Sequence, residues 1–346
     1  MKSPNKRNTK VKVLTLILVL LFLGFSFYVL IKFYNIYDTE IYKKNLKEQE
    51  IYYTQLAYEQ GIVAAFSGLK QDYIKNPLVR KMCHDIVHFI GRAAVDKYPN
   101  VDEAFRHGDG FCWSGYYHGV MEKFLSKKEG FNASKEINFI CENISGKKNY
   151  SFDYYNCVHG LGHGVMYITN NELFDSLGMC DNLEGWWERE SCYGGVFMEN
   201  INTNFRYHYT RYLNPDDPFY PCNNVRERYK PACYLMQTSY MLDVVNGDFS
   251  EVFGLCEQIE DPYTDICYQS LGRDASGYTI SNIEKTRKIC LLGKDFRQQS
   301  NCVIGAVKDF IAYYHSDSEA RKLCSSLNKD LQEVCFRTAE EFYINF

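Results

Sequence analysis

Five times in succession a cysteine is followed by another 11 or 12 residues later, and no other feature constrains the fold of this chain as much. The pairs are Cys180/Cys192, Cys222/Cys233, Cys256/Cys267, Cys290/Cys302 and Cys324/Cys335, and the first members of the last four recur every 34 residues. A period of that size marks a repeat architecture, in which each unit buries its apolar face against its neighbours.

The unit itself is legible in the last three repeats. Residues 249–259 carry apolar side chains at helical spacing and run into Asp261-Pro262, where proline cannot continue a helix. A second helix then holds Cys267, Leu271 and Ala275. Residues 283–292 and 296–314 repeat the plan, as do 319–327 and 331–342. Each unit is therefore expected to be a short helix, a tight turn and a longer helix. One cysteine lies in the last turn of the first helix and one in the first turns of the second, where they can face each other. Toward the N-terminus the rule loosens. Cys141/Cys157 is separated by 16 residues and Cys83/Cys112 by 29, the latter leaving other pairings open. A Pro-rich stretch at 214–224 lengthens one step to 42 residues. The 34-residue period resembles that of tetratricopeptide-type α-solenoids. That family's Trp, Leu-Gly, Tyr and terminal Pro are not in frame here, so the resemblance implies helix pairing and no binding groove. The expected fold is all-α: a right-handed stack of about seven or eight disulfide-stapled helix pairs, an α-solenoid or superhelix, over residues 61–346.

The first 60 residues read differently. Lys2, Lys6, Arg7, Lys10 and Lys12 precede an apolar run at 13–31, free of charged residues, which Lys32 closes. Nineteen residues at about 1.5 Å each span roughly 30 Å, enough to cross a bilayer. The run ends in bulky Tyr28, Val29, Leu30 and Ile31 rather than a small-residue cleavage site, which favours an uncleaved signal anchor. The positive-inside rule then places 1–12 in the cytoplasm and the rest outside, with 33–60 as a helical stalk. All fourteen cysteines lie beyond the span, consistent with an oxidising compartment. Six of the 39 Lys and Arg residues fall within the first 32 positions, leaving 33 against 43 acidic residues outside. With no basic cluster there, nucleic acid is not an expected partner.

Aligned on its leading cysteine, the longer helix becomes a ruler. Three residues on stand Gly115, Gly160, Gly195, Ser270, Gly305 and Thr338, small residues that suit a close approach. Six residues on stand His118, His163, Met198, Arg273, Lys308 and Glu341, with His88 one position early. Two of these helices carry a further histidine one turn back, giving the pairs His84/His88 and His159/His163. Residues four apart share a helix face, so each pair can chelate. Five of the eight histidines thus converge on one wall: His84, His88, His118, His159 and His163. Glu122 and Glu199 lie on or beside the same face, as further ligands or as a general base. Imidazole with carboxylate suits Zn, Fe, Cu or Mn, and the chain is expected to bind a transition metal. His84-Asp85 matches the dipeptide of HD-type phosphohydrolases, but no histidine precedes it to supply that family's first ligand. Bis-His haem ligation lacks a CxxCH attachment motif. The alternative to a metal centre is a non-catalytic scaffold that binds a protein or glycan on the repeat surface.

Overall fold

A computed structural model describes residues 41, 43–202 and 210–344. The expected tail at 1–12, the anchor at 13–31 and the first part of the stalk (33–40 and 42) lie outside the described residues. Residues 43–60 are helical, and Gly61, at φ 96°, ends that segment. Among the described residues no helix is long and apolar enough to cross a membrane.

From residue 62 the chain is a succession of helices. These are α1 (Ile62–Lys75), α2 (Pro77–Lys81), α3 (Cys83–Lys97), α4 (Val101–Arg106), α5 (Gly115–Ser126), α6 (Ala133–Ile140), α7 (Phe152–Ile168), α8 (Leu173–Cys180) and α9 (Trp186–Asn202). They continue with α10 (Lys230–Val244), α11 (Phe249–Cys256), α12 (Tyr263–Tyr278), α13 (Ile283–Cys290), α14 (Phe296–Tyr314), α15 (Ser318–Ser325) and α16 (Lys329–Ile344). No strand occurs among the described residues. The long helices α3, α5, α7, α9, α10, α12, α14 and α16 form a row in which each packs on the next. Near its end the row meets its beginning: Tyr313 packs on Trp113 with ring centroids 5.5 Å apart, and His315 on Phe152 at 4.6 Å.

Local sequence accounts for the turns. Asn100, Ser151, Asp248, Asn282 and Asp295 each accept a hydrogen bond from a backbone N–H of the helix they precede, as N-caps do. Three long helices end alike. Asn171, Gly247 and Ser281 each donate a backbone hydrogen bond to the carbonyl five residues back, after a residue in the left-handed region.

The seven disulfides each join consecutive cysteines, and five of them follow the 11- or 12-residue rhythm. They are Cys83–Cys112, Cys141–Cys157, Cys180–Cys192, Cys222–Cys233, Cys256–Cys267, Cys290–Cys302 and Cys324–Cys335. The Cα atoms of the seven pairs are 5.3 to 5.9 Å apart, within ordinary disulfide reach. In the chain-entropy picture a loop of this size stabilises by about 3 kcal/mol. Cys180, Cys256 and Cys290 are the last residues of their short helices, as expected.

The placement of two other pairs differs from the expectation. Cys112 does not sit in a long helix; Cys112, Trp113 and Ser114 all have φ between 55° and 59°, a left-handed turn ahead of α5. That turn displaces α5 from the frame set by the cysteines farther along. The Cys222–Cys233 bond does not staple two helices. Cys233 lies in the first turn of α10, but Cys222 lies in a run of turns. Pro215, Pro218 and Pro221 deprive that run of the N–H donors a short helix needs. At the last pair the helix boundaries shift by about two residues. The Asn328 side chain accepts a hydrogen bond from the Leu331 N–H, so α16 starts at Lys329 rather than Leu331. Cys335 thereby falls in the second turn of α16, opposite Cys324, the penultimate residue of α15.

Glycines let the long helices touch backbone to backbone. A Cβ at Gly91 of α3 would collide with the Tyr116 carbonyl of α5, and one at Gly119 of α5 with the His88 carbonyl. The same reciprocal arrangement joins α7 to α9 through Gly162 and Gly195, and α12 to α14 through Gly272 and Gly305. The side chains flanking these crossings are therefore held at short and fixed separations.

Candidate metal centre

The five histidines singled out by their spacing come together. His84 and His88 project from α3, His118 from α5, and His159 and His163 from α7, so three neighbouring helices of the row supply all of them. His88, His118, His159 and His163 are buried and His84 is half-buried. His118 stacks on His163 with centroids 3.9 Å apart, and its centroid lies 5.3 to 5.5 Å from those of His84, His88 and His159. The Nδ1 of His118 is buried without a hydrogen-bond partner.

In each pair the two Nε2 atoms face each other, at 3.2 Å for His84/His88 and 3.3 Å for His159/His163. The opposite edges of the rings are held by protein. His84 Nδ1 lies 2.9 Å from the Cys112 carbonyl oxygen, which can only accept. His88 Nδ1 lies 2.8 Å from Glu122, whose other oxygen receives the Arg92 guanidinium at 2.6 to 2.8 Å. Burial works against the charge of Glu122, but Arg92 first and His88 second outweigh it and hold the carboxyl at about 2. Glu122 is thus an acceptor as well. Both rings of the first pair, when neutral, must carry their proton on Nδ1 and a bare lone pair on Nε2. Two lone pairs 3.2 Å apart in a buried setting repel unless a cation lies between them, and two nitrogens each about 2.0–2.1 Å from one ion stand at such a separation.

The second pair repeats this geometry, but its partners, a hydroxyl and a carboxyl raised by burial, can donate as well as accept and so do not by themselves fix the ring protons. His163 Nδ1 is 2.7 Å from Glu199 of α9, and His159 Nδ1 is 3.3 Å from the Tyr155 hydroxyl. A ligating histidine whose other nitrogen is fixed by a carboxylate or carbonyl is the usual outer arrangement of a metal site. Glu199 differs from Glu122 in its charge balance. Burial and then the charge of Glu122 push it well above the ordinary carboxylate range, with Arg92 offsetting only part. A cation at the neighbouring pair acts in the opposite sense.

Four of the rings are held in the neutral form, which is the ligating one. Burial, then the neighbouring His88, takes His84 down to about 4; burial takes His159 to about 4 as well. His118 and His163 are pushed well below the ordinary value, again first by burial. Three sets of side chains offer ligand atoms within 4.8 Å of one another: His84/His88/His118, His118/His159/His163 and Glu122/His163/Glu199. Every cysteine is in a disulfide, so none is free to act as a thiolate ligand.

The sequence reading missed the residues that orient the ligands. Arg92 follows His88 by four residues and Tyr155 precedes His159 by four, so each extends a histidine stripe by one helical turn and was findable from the same i, i+4 rule. The Cys112 carbonyl is different. It reaches His84 through the left-handed turn before α5, which leaves no trace in residue types. No protein-family model matches this chain, and no curated protein or solved structure matches it significantly.

Proposed function

We propose that this protein is a membrane-anchored, extracytoplasmic transition-metal-binding protein, with His84, His88, His118, His159 and His163 as ligands. The observation that carries the reading is the facing of two Nε2 lone pairs at 3.2 Å, with both Nδ1 atoms committed to acceptors. The donor set is nitrogen-rich, with Glu122 and Glu199 behind the rings. That suits Zn, Fe, Cu or Mn and disfavours Ca and Mg, which take six or more oxygen ligands. Seven disulfides accord with an oxidising compartment, and the 13–31 run would deliver the repeat domain there. The helical row is read as a closed-up relative of the α-solenoid, built from stapled pairs. Should the centre catalyse a reaction, Glu199 is the better acid–base candidate, because Arg92 and His88 keep Glu122 ionised.

The test is metal analysis of the full-length chain, purified with its disulfides intact after growth in metal-replete medium. Stoichiometric transition metal is expected, and it is expected to fall when His159 and His163 are both changed to Ala. Wild-type protein that carries no such metal, and takes up none on dialysis against Zn(II) or Co(II), sinks the reading. The scaffold alternative predicts that outcome.

A further inference from the structure

The His-pair arrangement occurs twice, on two different helices. The first copy is His84/His88 on α3, with Glu122 of the next long helix on the Nδ1 of the second ring. The second is His159/His163 on α7, with Glu199 of the next long helix on the Nδ1 of the second ring. The copies are one helical turn out of register. Measured from the glycine crossings, Gly91 and Gly162, the residue three positions earlier is His88 in α3 and His159 in α7. Across the two copies it is the second rings that approach each other, His88 and His163, with centroids 6.1 Å apart. One turn is about 5.4 Å along a helix axis.

We infer that the centre is dinuclear, each HxxxH pair holding its own transition-metal ion with His118 between them. This rests on the metal-binding reading above and specifies its stoichiometry. Ligands of a single ion at about 2.0–2.1 Å lie no more than roughly 4.2 Å from one another, even when opposed across it. The ligand atoms of the five histidines do not all lie within even 4.8 Å of one another. They divide into two triads, each within 4.8 Å internally, with only His118 in common. An imidazole presents nitrogens on two edges, and the Nδ1 of His118 has no hydrogen-bond partner although the residue is 2% exposed. A neutral His118 would serve one ion, and serving both would take the imidazolate, its N–H proton leaving to solvent as the second ion binds. The other four rings each spend Nδ1 on a carboxylate, a carbonyl or a hydroxyl, leaving Nε2 for the ion. The shared ring is thus the only one of the five with no Nδ1 partner.

The experiment is a Co(II) titration of the chelator-stripped full-length chain, followed by its visible ligand-field absorption and by metal content after equilibrium dialysis. Two equivalents per chain are expected for the wild type. Changing His84 and His88 to Ala is expected to leave one, changing His159 and His163 to leave one, and changing all four to leave none. A single equivalent that either double substitution abolishes overturns the inference while sparing the metal-binding reading. No uptake at all removes both. A measurement on the wild type alone guards against variants that fail to fold. Cu(II)-loaded protein is expected to show the half-field paramagnetic resonance signal of two coupled ions; an isolated-ion spectrum at full loading overturns the proposal.

Discussion

The α7/α9 pair and the α12/α14 pair are the same helix crossing with different side chains on it. Gly162 and Gly195 meet the Cys192 and His159 carbonyls; Gly272 and Gly305, at the same offsets from their cysteines, meet the Cys302 and Gln269 carbonyls. Position for position, His159 corresponds to Gln269, His163 to Arg273 and Glu199 to Asp309. In the second pair Arg273 is fully engaged, bonding the Leu235 carbonyl, Ser239 and Asp274. The backbone contact therefore does not require the histidines, since the chain builds the same crossing without them at α12/α14. This separates two explanations that glycine-rich HxxxH helices invite. The glycines serve helix packing wherever they recur, while the histidines serve the N-terminal half alone.

The largest expected difference between the two pairs is the effect of metal. At 100 to 1,000 times Kd, each bound ion should stabilise the fold by about 3–4 kcal/mol. Thermal unfolding of the stripped and Zn(II)-loaded full-length chain measures it. His159→Ala with His163→Ala should remove the increment at that pair, whereas Gln269→Ala should leave it in place; an equal loss in both would end the distinction. The metal-free protein should also respond to acid with a definite sign. His84 and His159 are held at about 4 in the fold, below their ordinary 6.5. The unfolded chain takes up protons first, so stability is present above about pH 6.5 and is lost as pH falls toward 4. Denaturant midpoints between pH 7 and 4.5 check this, and His84→Gln with His159→Gln should flatten the slope.

Next in size is a change that should strike both pairs alike. A Cβ at Gly195 or at Gly305 would meet a backbone carbonyl, which cannot rotate away as a side-chain tip can. Ala at either position should destabilise by about 3 kcal/mol in denaturant unfolding of the oxidised protein. A large cost at Gly195 beside a negligible one at Gly305 would tie the glycines to the metal centre after all.

These equivalences also show what the sequence made visible. Helix type, the pairing of the six disulfides from Cys141 onward and the convergence of the five histidines were each readable, because they rest on spacing along one chain direction; the Cys83–Cys112 pairing was left open. The limits of the reading have particular causes. Cysteine offsets place His118 and His163 in one column, and the rings do stack; but the carboxylates that matter sit at unlike offsets, Glu122 ten residues after Cys112 and Glu199 seven after Cys192. The left-handed turn at Cys112, Trp113 and Ser114 accounts for that discrepancy, and backbone handedness of non-glycine residues has no compositional signature. The spacing of Cys222 and Cys233 matches that of Cys324 and Cys335, yet only the second pair joins two helices; a cysteine interval fixes the bond and not the backbone it closes. Nor did the cysteine period indicate that Tyr313 would reach back to Trp113, since curvature accumulates from small rotations at each helix contact.

A smaller effect is expected behind the ligands. Glu199→Gln keeps the size of the side chain and removes its capacity to ionise beside His163 Nδ1, where the contact is 2.7 Å. Partners of this kind typically contribute about 10- to 100-fold in metal affinity, so Co(II) binding at the second pair should weaken by about that factor with the fold intact. Glu122→Gln should act on the first pair in the same way and additionally leave Arg92 without its carboxylate.

The smallest effect, and the one of opposite sign, belongs to the α12/α14 pair. Asp309 occupies the position of Glu199, its Oδ2 is buried without a hydrogen-bond partner, and burial raises it to about 6, with Ser276 and Arg273 offsetting only part. A carboxyl raised in the fold above its ordinary 3.8 contributes stability below that value and loses it as pH rises through about 6. Asp309→Asn removes this term, so the variant should be more stable than wild type by about 1–2 kcal/mol at pH 7.5 and indistinguishable from it at about pH 4. Glu199→Gln in the metal-loaded protein should show no such gain, because there the carboxylate's charge is matched by an ion. If Asp309→Asn is instead destabilising at pH 7.5, the Arg273 charge outweighs burial at Asp309 and the two crossings are more alike than their side chains imply.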